Sequence, residues 1–193
     1  MMVALSLGAF VIAGVLSSYT FLGRHLIRYS NQQQLAAQVQ RTMQIFIRDV
    51  HSATAVSSFS GSQLVLTLPY VHSDYSVTTY TVTYGYVKNA DGDTDNLWKL
   101  KRYVTGTPPP NLTTATLTLL SGITLSGSNF FNCYDRYDVA ATNTLGIKKV
   151  EIAGFTLSTG TASAGTLTTF PAASARLILR NKYLVLTQNG QNY

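Results

Sequence analysis

Charge is scarce in this chain. Of 193 residues only 11% are charged, less than half of the roughly 25% usual in soluble domains. The surplus of +6 is spread along the chain with no block of like charges, which argues against a nucleic-acid footprint. Lys148 with Lys149, and Lys99, Lys101 and Arg102, read instead as solvated strand faces. There is one cysteine, Cys133, so an intramolecular disulfide is excluded and the fold must hold without one. In "NFFNCYDRY" its neighbours are aromatic, and the thiol reads as a packed small hydrophobe rather than a reactive group. Three histidines are too few and too scattered for a catalytic or metal site. His25 and His51 lie 26 positions apart on one helix, and His72 beside Ser73 and Asp74 is not a triad, whose members must meet in space. No nucleophile elbow, phosphate-binding glycine loop or metal-spaced Cys/His set occurs. The chain is not read as an enzyme.

Two further absences set the organisation. From Met1 to Gly23 there is no charged residue, and the first is Arg24. In "MMVALSLGAFVIAGVLSSYTFLGR" neither a basic segment in front nor a small-residue cleavage site behind marks a secretory signal. The run is long enough to cross a bilayer, which takes about 20 apolar residues. From Arg24 to Phe59 there is neither proline nor glycine, and good helix formers dominate "QQQLAAQVQRTMQIFIRDV". Leu35, Val39, Met43, Phe46, Val50 and Ala53 recur in steps of three and four, one apolar stripe, with Gln38, Arg41, Gln44, Arg48 and His51 opposite. The spacing predicts one helix of about 55 residues, roughly 80 Å long. Its first half is apolar all round and its second half on one face only.

What is abundant is threonine and serine, 25 and 17 residues, mostly beyond residue 50, a composition that suits half-wet β-structure. "SSFSGS" (57–62) is expected to end the helix. "QLVLTLP" reads as a strand stopped by Pro69. In "TTYTVTYGYV", Tyr80, Val82, Tyr84 and Tyr86 alternate with Thr79, Thr81, Thr83 and Gly85, a strand with one buried face. "KNADGDTDN" and "LWKLKRYV" complete a hairpin over 76–104 with a long loop. "TGTPPPN" is a stiff connection. Strands follow at "ATLTLL", "GIKKVEIAGFTL" and "SARLILRNKYLVL", with "STGTASAGTLTTFP" a small-residue loop between the last two. Hairpins and meanders imply an antiparallel sheet, and the striped half of the helix supplies the cover for its buried face. The expected class is α+β, one long helix packed on an antiparallel β-sheet head, divided as 1–23, 24–56 and 57–193.

This pattern of words resembles the type IV pilin and pseudopilin superfamily. "MMVALSLGAFVIAGVL" is similar to the segment that follows the leader, phenylalanine and glutamate in that family. Met1 falls directly after the position of that glutamate, so the resemblance implies a chain truncated ahead of Met1, with leader and glutamate missing. "NQQQLAAQVQRTMQIFIRDVHSA", "VTYGYV", "LWKLKR", "NFFNCYD", "IKKVEI" and "SARLILRNK" fall in the order shown by minor pilins of the W type and minor pseudopilins of the J type of type II secretion.

The resemblance implies a subunit of a type IV pilus or type II secretion filament, with prepilin peptidase acting on the full-length precursor. It implies a single pass through the bacterial inner membrane with the head in the periplasm, and then a periplasmic or surface filament built with other subunits. The residues expected to pack in membrane or filament are Val3, Leu5, Leu7, Gly8, Phe10, Val11, Ile12, Gly14, Val15, Leu16, Phe21 and Leu22; small residues there let helices approach closely. Those expected to join helix to sheet are Leu35, Val39, Met43, Phe46 and Val50. Arg24, His25 and Arg28 follow the span, and the positive-inside rule alone would hold that end in the cytoplasm; a leader in front would add competing charge. The competing class is a single-span membrane-anchored β-domain that binds a surface, DNA or another ligand and does not polymerise.

No cofactor is expected. "DGDTDN" is the one cation candidate: Asp91, Asp93 and Asp95 alternate like the first ligands of a calcium loop, but Arg102 stands where the twelfth-position acid belongs. A solvated hairpin tip needs no metal and is the preferred reading, with calcium the alternative. "NLT" at Asn111 matches a glycosylation sequon of a length that arises by chance.

Overall fold

The structure, a computed structural model, describes residues 2–88, 98–106, 108, 116–125, 127–159, 168–172, 174–180, 187–188 and 191–192, with backbone alone for 2–7, 159, 168, 187–188 and 191–192. Its first element is a single helix, α1 (Met2–Ser52), of 51 residues, about 76 Å at 1.5 Å per residue. The apolar stripe does what its spacing requires. Leu35, Phe46, Val50 and Ala53 are buried, with Val39 and Met43 partly so, while Gln38, Arg41, Gln44 and Arg48 face solvent.

The chain turns out of α1 earlier than the expected residue 56. Ala53 N–H still donates to the Val50 carbonyl, but Thr54 N–H already donates to Thr67 at 2.9 Å, and β1 (Ala55–Phe59) follows. Thr54 and Val56 are β-branched, and the serines that follow favour turns and caps over helix interiors. Val56 is buried in the resulting strand. From there run β2 (Gln63–Val71), β3 (Val77–Lys88), β4 (Trp98–Gly106) and β5 (Leu117–Leu125). Next come β6 (Phe131–Tyr134), β7 (Lys149–Ile152), β8 (Phe155–Thr159), β9 (Thr168–Ala172) and β10 (Ala175–Ile178), then the two-residue pair β11 (Thr187–Gln188) and β12 (Gln191–Asn192).

A seven-stranded sheet has the order β1-β2-β3-β4-β5-β8-β9, and a three-stranded one the order β10-β7-β6. All described pairs are antiparallel. The α+β class, a long helix on an antiparallel sheet, is as expected. One core joins α1 to both sheets: Phe46 meets Tyr84 of the large sheet edge-on at 5.0 Å and stacks on Phe131 of the small one at 6.3 Å. Cys133 is buried in that core, as its aromatic neighbours implied.

Several expectations change. Pro69 does not end β2, which runs two residues further, Tyr70 and Val71 pairing with Thr78 and Val77 on β3. It sits past the end of β1, whose last partner is Thr67, so at Pro69 β2 has a strand on one side only, where a missing N–H is tolerated. "GIKKVEIAGFTL" is not one strand. Ala153 and Gly154 divide it, sending β7 to the small sheet and β8 to the large one. The end of the supposed small-residue loop is β9, whose Pro171 lies in the outermost strand. β6 was not foreseen; four residues with "FNCY" show too little periodicity to read.

The trio Lys99, Lys101 and Arg102 is not solvated: their exposures are 8%, 5% and 7%. In β4 the side chains alternate across the sheet, so Leu100, Arg102 and Val104 turn to the helix and the two lysines to the other face. Lys149 is likewise engaged, donating to Asp138 at 2.7 Å, with Arg176 reaching Asp138 at 3.0 Å and Glu151 at 3.3 Å.

Candidate functional site: an uncovered helix on a pinned anchor

The two halves of α1 differ in every physical respect. From Gly8 to Ser30 no side chain is buried. Phe10 is 84% exposed, and Val11, Ile12, Val15, Leu16, Tyr19, Phe21, Leu22, Leu26, Ile27 and Tyr29 are all exposed as well. Each such side chain gains roughly 1.5–3 kcal/mol when taken out of water, so this surface asks for an apolar partner outside the chain. Two polar side chains in the same stretch ask for none. Ser18 donates to the Gly14 carbonyl and Thr20 to the Ser17 carbonyl, both at 2.9 Å, so these hydroxyls satisfy themselves inside the helix, as a bilayer or a dry packing requires. A Cβ added at Gly8, Gly14 or Gly23 would meet nothing within 4 Å. Among the described residues these glycines pack against nothing, and they leave room for a second helix. By length and composition the helix can cross a membrane, and none of its apolar window is buried.

Every expected packing residue with a described side chain, Gly8, Phe10, Val11, Ile12, Gly14, Val15, Leu16, Phe21 and Leu22, is thus brought onto this surface. The side chains of Val3, Leu5 and Leu7 lie outside the described set. All five helix-to-sheet residues, Leu35, Val39, Met43, Phe46 and Val50, lie in the packed half.

The packed half is held by more than its stripe. Asp49, 2% exposed, accepts from Arg102 Nε on β4 and from the Tyr84 hydroxyl on β3, both at 2.7 Å, while Arg48 stands 3.5 Å off its other oxygen. Burial pushes the Tyr84 hydroxyl well above its usual range, and the Asp49 charge and hydrogen bond add to that. Burial works against the Arg102 cation, but its hydrogen bond to Asp49 and the Asp49 charge outweigh it, so the guanidinium is held more firmly protonated. Arg102 Nη2 is buried with no hydrogen-bond partner among the described residues. Thr42, also buried, donates to the Leu119 carbonyl at 3.3 Å, a residue that the β4–β5 register skips. Sequence reasoning missed Asp49, Arg102 and Thr42. A signal existed: Asp49 is the one acid before Asp74 and falls inside the apolar stripe, and Arg102 interrupts the core-facing alternation of Leu100 and Val104. Two opposite charges on buried faces require each other.

The remaining candidates do not assemble. His72 Nε2 pairs with the Thr78 hydroxyl at 2.8 Å and its ring meets Tyr70, while Asp74 is occupied by Ser76. His25 packs on Phe21, ring centroids 4.2 Å apart. Among the described residues no group of three His, Cys, Asp or Glu side chains is placed to hold a metal. Asp91, Asp93, Asp95 and Asn111 lie outside the described residues. No protein-family model, curated protein or solved structure matches the chain.

Proposed function

We propose that the chain is a minor pilin or pseudopilin, a structural subunit of a type IV pilus or type II secretion filament. One observation supports this above the others: a continuous helix leaves its first half bare and apolar while the second half is fastened to a β head. Before assembly the bare half rests in the bacterial inner membrane as a single pass with the head in the periplasm. In the filament the same surface is buried against neighbouring subunits. A head-to-tail contact that does not close into a ring gives such a polymer, and the pinned second half transmits the position of the helix to the head.

The test is proximity between copies. Full-length chains carrying Leu16→Cys in a Cys133→Ser background are expressed in a piliated host, and membranes and sheared surface material are oxidised separately. Cross-linked chains in the sheared filaments are expected. Chains that stay in the membrane and never cross-link would leave the other class, a membrane-anchored β-domain that does not polymerise.

A further inference from the structure

The stripe that fastens α1 to the head does not stop at Leu35. Continued toward the N-terminus in the same steps of three and four, it passes through Gln32, Arg28, His25 and Phe21, and Arg24 stands one turn from Arg28 on the same side. All five side chains are exposed. The stripe turns from apolar to cationic where the head ends. Asn31, Gln34 and Leu35 still share a small cleft with Ser121 and Ser158 of the large sheet, and Arg28 lies about 10 Å beneath Leu35 along the axis.

At the same level another face of the helix is apolar. Tyr19, Leu22, Leu26 and Tyr29, spaced three, four and three, are all exposed. The helix is therefore divided around its circumference just below the head: two arginines and a histidine on the head side, leucine and tyrosine turned away from it. Tyrosine of this kind, an apolar ring with a polar tip, suits the boundary between hydrocarbon and water.

The cations gain nothing inside the chain. Arg24 and Arg28 are four residues apart, a spacing at which like charges repel. Among the described residues neither has an ion pair, and the first acid of the sequence, Asp49, is buried against Arg102. Charge also enters the helix for the first time at Arg24, and an arginine deeper in hydrocarbon would be costly. If the preceding stretch lies in a bilayer, these side chains therefore stand at the headgroups, in the space beneath the head. A guanidinium takes a phosphate through two parallel hydrogen bonds, and the imidazole adds another donor. A zwitterionic headgroup would bring its own ammonium against the arginines, whereas an anionic one brings none. We propose that Arg24, His25 and Arg28 form a binding site for anionic phospholipid headgroups beneath the head. This deepens the membrane state of the proposed function and rests on it.

The experiment uses the full-length chain in phosphatidylcholine vesicles carrying a trace of spin-labelled phosphatidylglycerol or spin-labelled phosphatidylcholine. Flotation first shows whether the chain stays with the vesicles, and electron spin resonance then measures how much of each label is immobilised beside it. Phosphatidylglycerol is expected to be held about fivefold or more over phosphatidylcholine at low salt, the worth of one arginine at a charged surface, and the preference shrinks as salt rises. Arg24→Gln with Arg28→Gln removes the preference while the chain still floats and its unfolding midpoint is unchanged. Arg41→Gln, equally exposed but on the packed half about 20 Å beyond Arg28, leaves the preference intact. Equal immobilisation of the two labels overturns the proposal alone, as does a preference that survives in the double variant or disappears with Arg41→Gln. If the double variant keeps the preference but abolishes cross-linking through Leu16→Cys, the arginines serve a carboxylate of a neighbouring chain instead. A chain that fails to float with the vesicles overturns the membrane anchor and this site together.

Discussion

Asp49 on the helix and Arg102 on β4 meet at 2.7 Å with 3% and 8% of their side chains exposed, making the point where α1 is locked to the sheet. Apolar contacts alone would let a helix slide or rotate by part of a turn at modest cost. A buried charge has one acceptable address, because moving it away from its partner leaves both groups dry and unpaired.

Asp49→Ala is therefore expected to destabilise the head by about 3–5 kcal/mol, since it strands the Arg102 guanidinium. Exchanging both partners together, Asp49→Leu with Arg102→Met, is expected to restore most of that loss. Urea unfolding in a zwitterionic detergent measures both. A double variant no more stable than Asp49→Ala would mean that the pair is not the cause.

Tyr84 gives the lock a pH dependence. Its hydroxyl pKa is raised in the fold, burial first and Asp49 second, above the ordinary 10.0. A raised pKa means that the folded state holds the proton more tightly. That stability is complete below pH 10.0 and is lost as pH climbs from there toward the folded value. Tyr84→Phe is expected to cost about 1.5–3 kcal/mol at neutral pH, the worth of a hydrogen bond to a charged group. It should also flatten the decline above pH 10.0, though not abolish it, because Tyr80 and Tyr86 are raised too. Thermal unfolding across pH 8 to 11 reads both effects, and an unchanged alkaline slope would remove Tyr84 from the account.

Which features the sequence disclosed follows from the range of the forces involved. The helix stripe and the Tyr80–Tyr86 alternation are local periodicities, legible because burial repeats every 3.6 or 2 residues. The uncovered half of α1 was legible for the same reason, as a run without charge. Arg102 was misread because its partner lies 53 positions away, and no spacing rule links the two. The split of residues 146–157 between sheets depends on which strands become neighbours, and that is fixed only in three dimensions.

Gly122 shows how tightly one such neighbourhood is built. Its φ is +73°, and a Cβ there would run into the Ser158 carbonyl oxygen on β8, where the Ser158 hydroxyl also donates to the Gly122 carbonyl at 3.2 Å. Gly122→Ala therefore combines a left-handed backbone with a clash against main chain, and is expected to cost more than about 2 kcal/mol. Gly61→Ala would meet chiefly the Asn129 side chain, which can turn aside, and should cost less than about 1 kcal/mol. Equal losses in the two variants by urea unfolding would contradict this ranking.

The two halves of α1 can be separated by substitution. Val15 is 63% exposed and lies in the uncovered stretch, far along the helix from the first buried residue, Leu35. Val15→Lys removes no contact with the head, so the unfolding midpoint of the β-structure should be unchanged. The substitution nevertheless places an ammonium group in the apolar stretch, which near the centre of a bilayer costs about 2.5–3.5 kcal/mol. Retention in carbonate-washed membranes is therefore expected to fall sharply, while Gln38→Lys, on the solvent side of the packed half, should change neither quantity. If Val15→Lys stays in the membrane like the parent, this stretch is not what holds the chain there. If it lowers the head's midpoint, the two halves are coupled through something other than the contacts seen between α1 and the sheets.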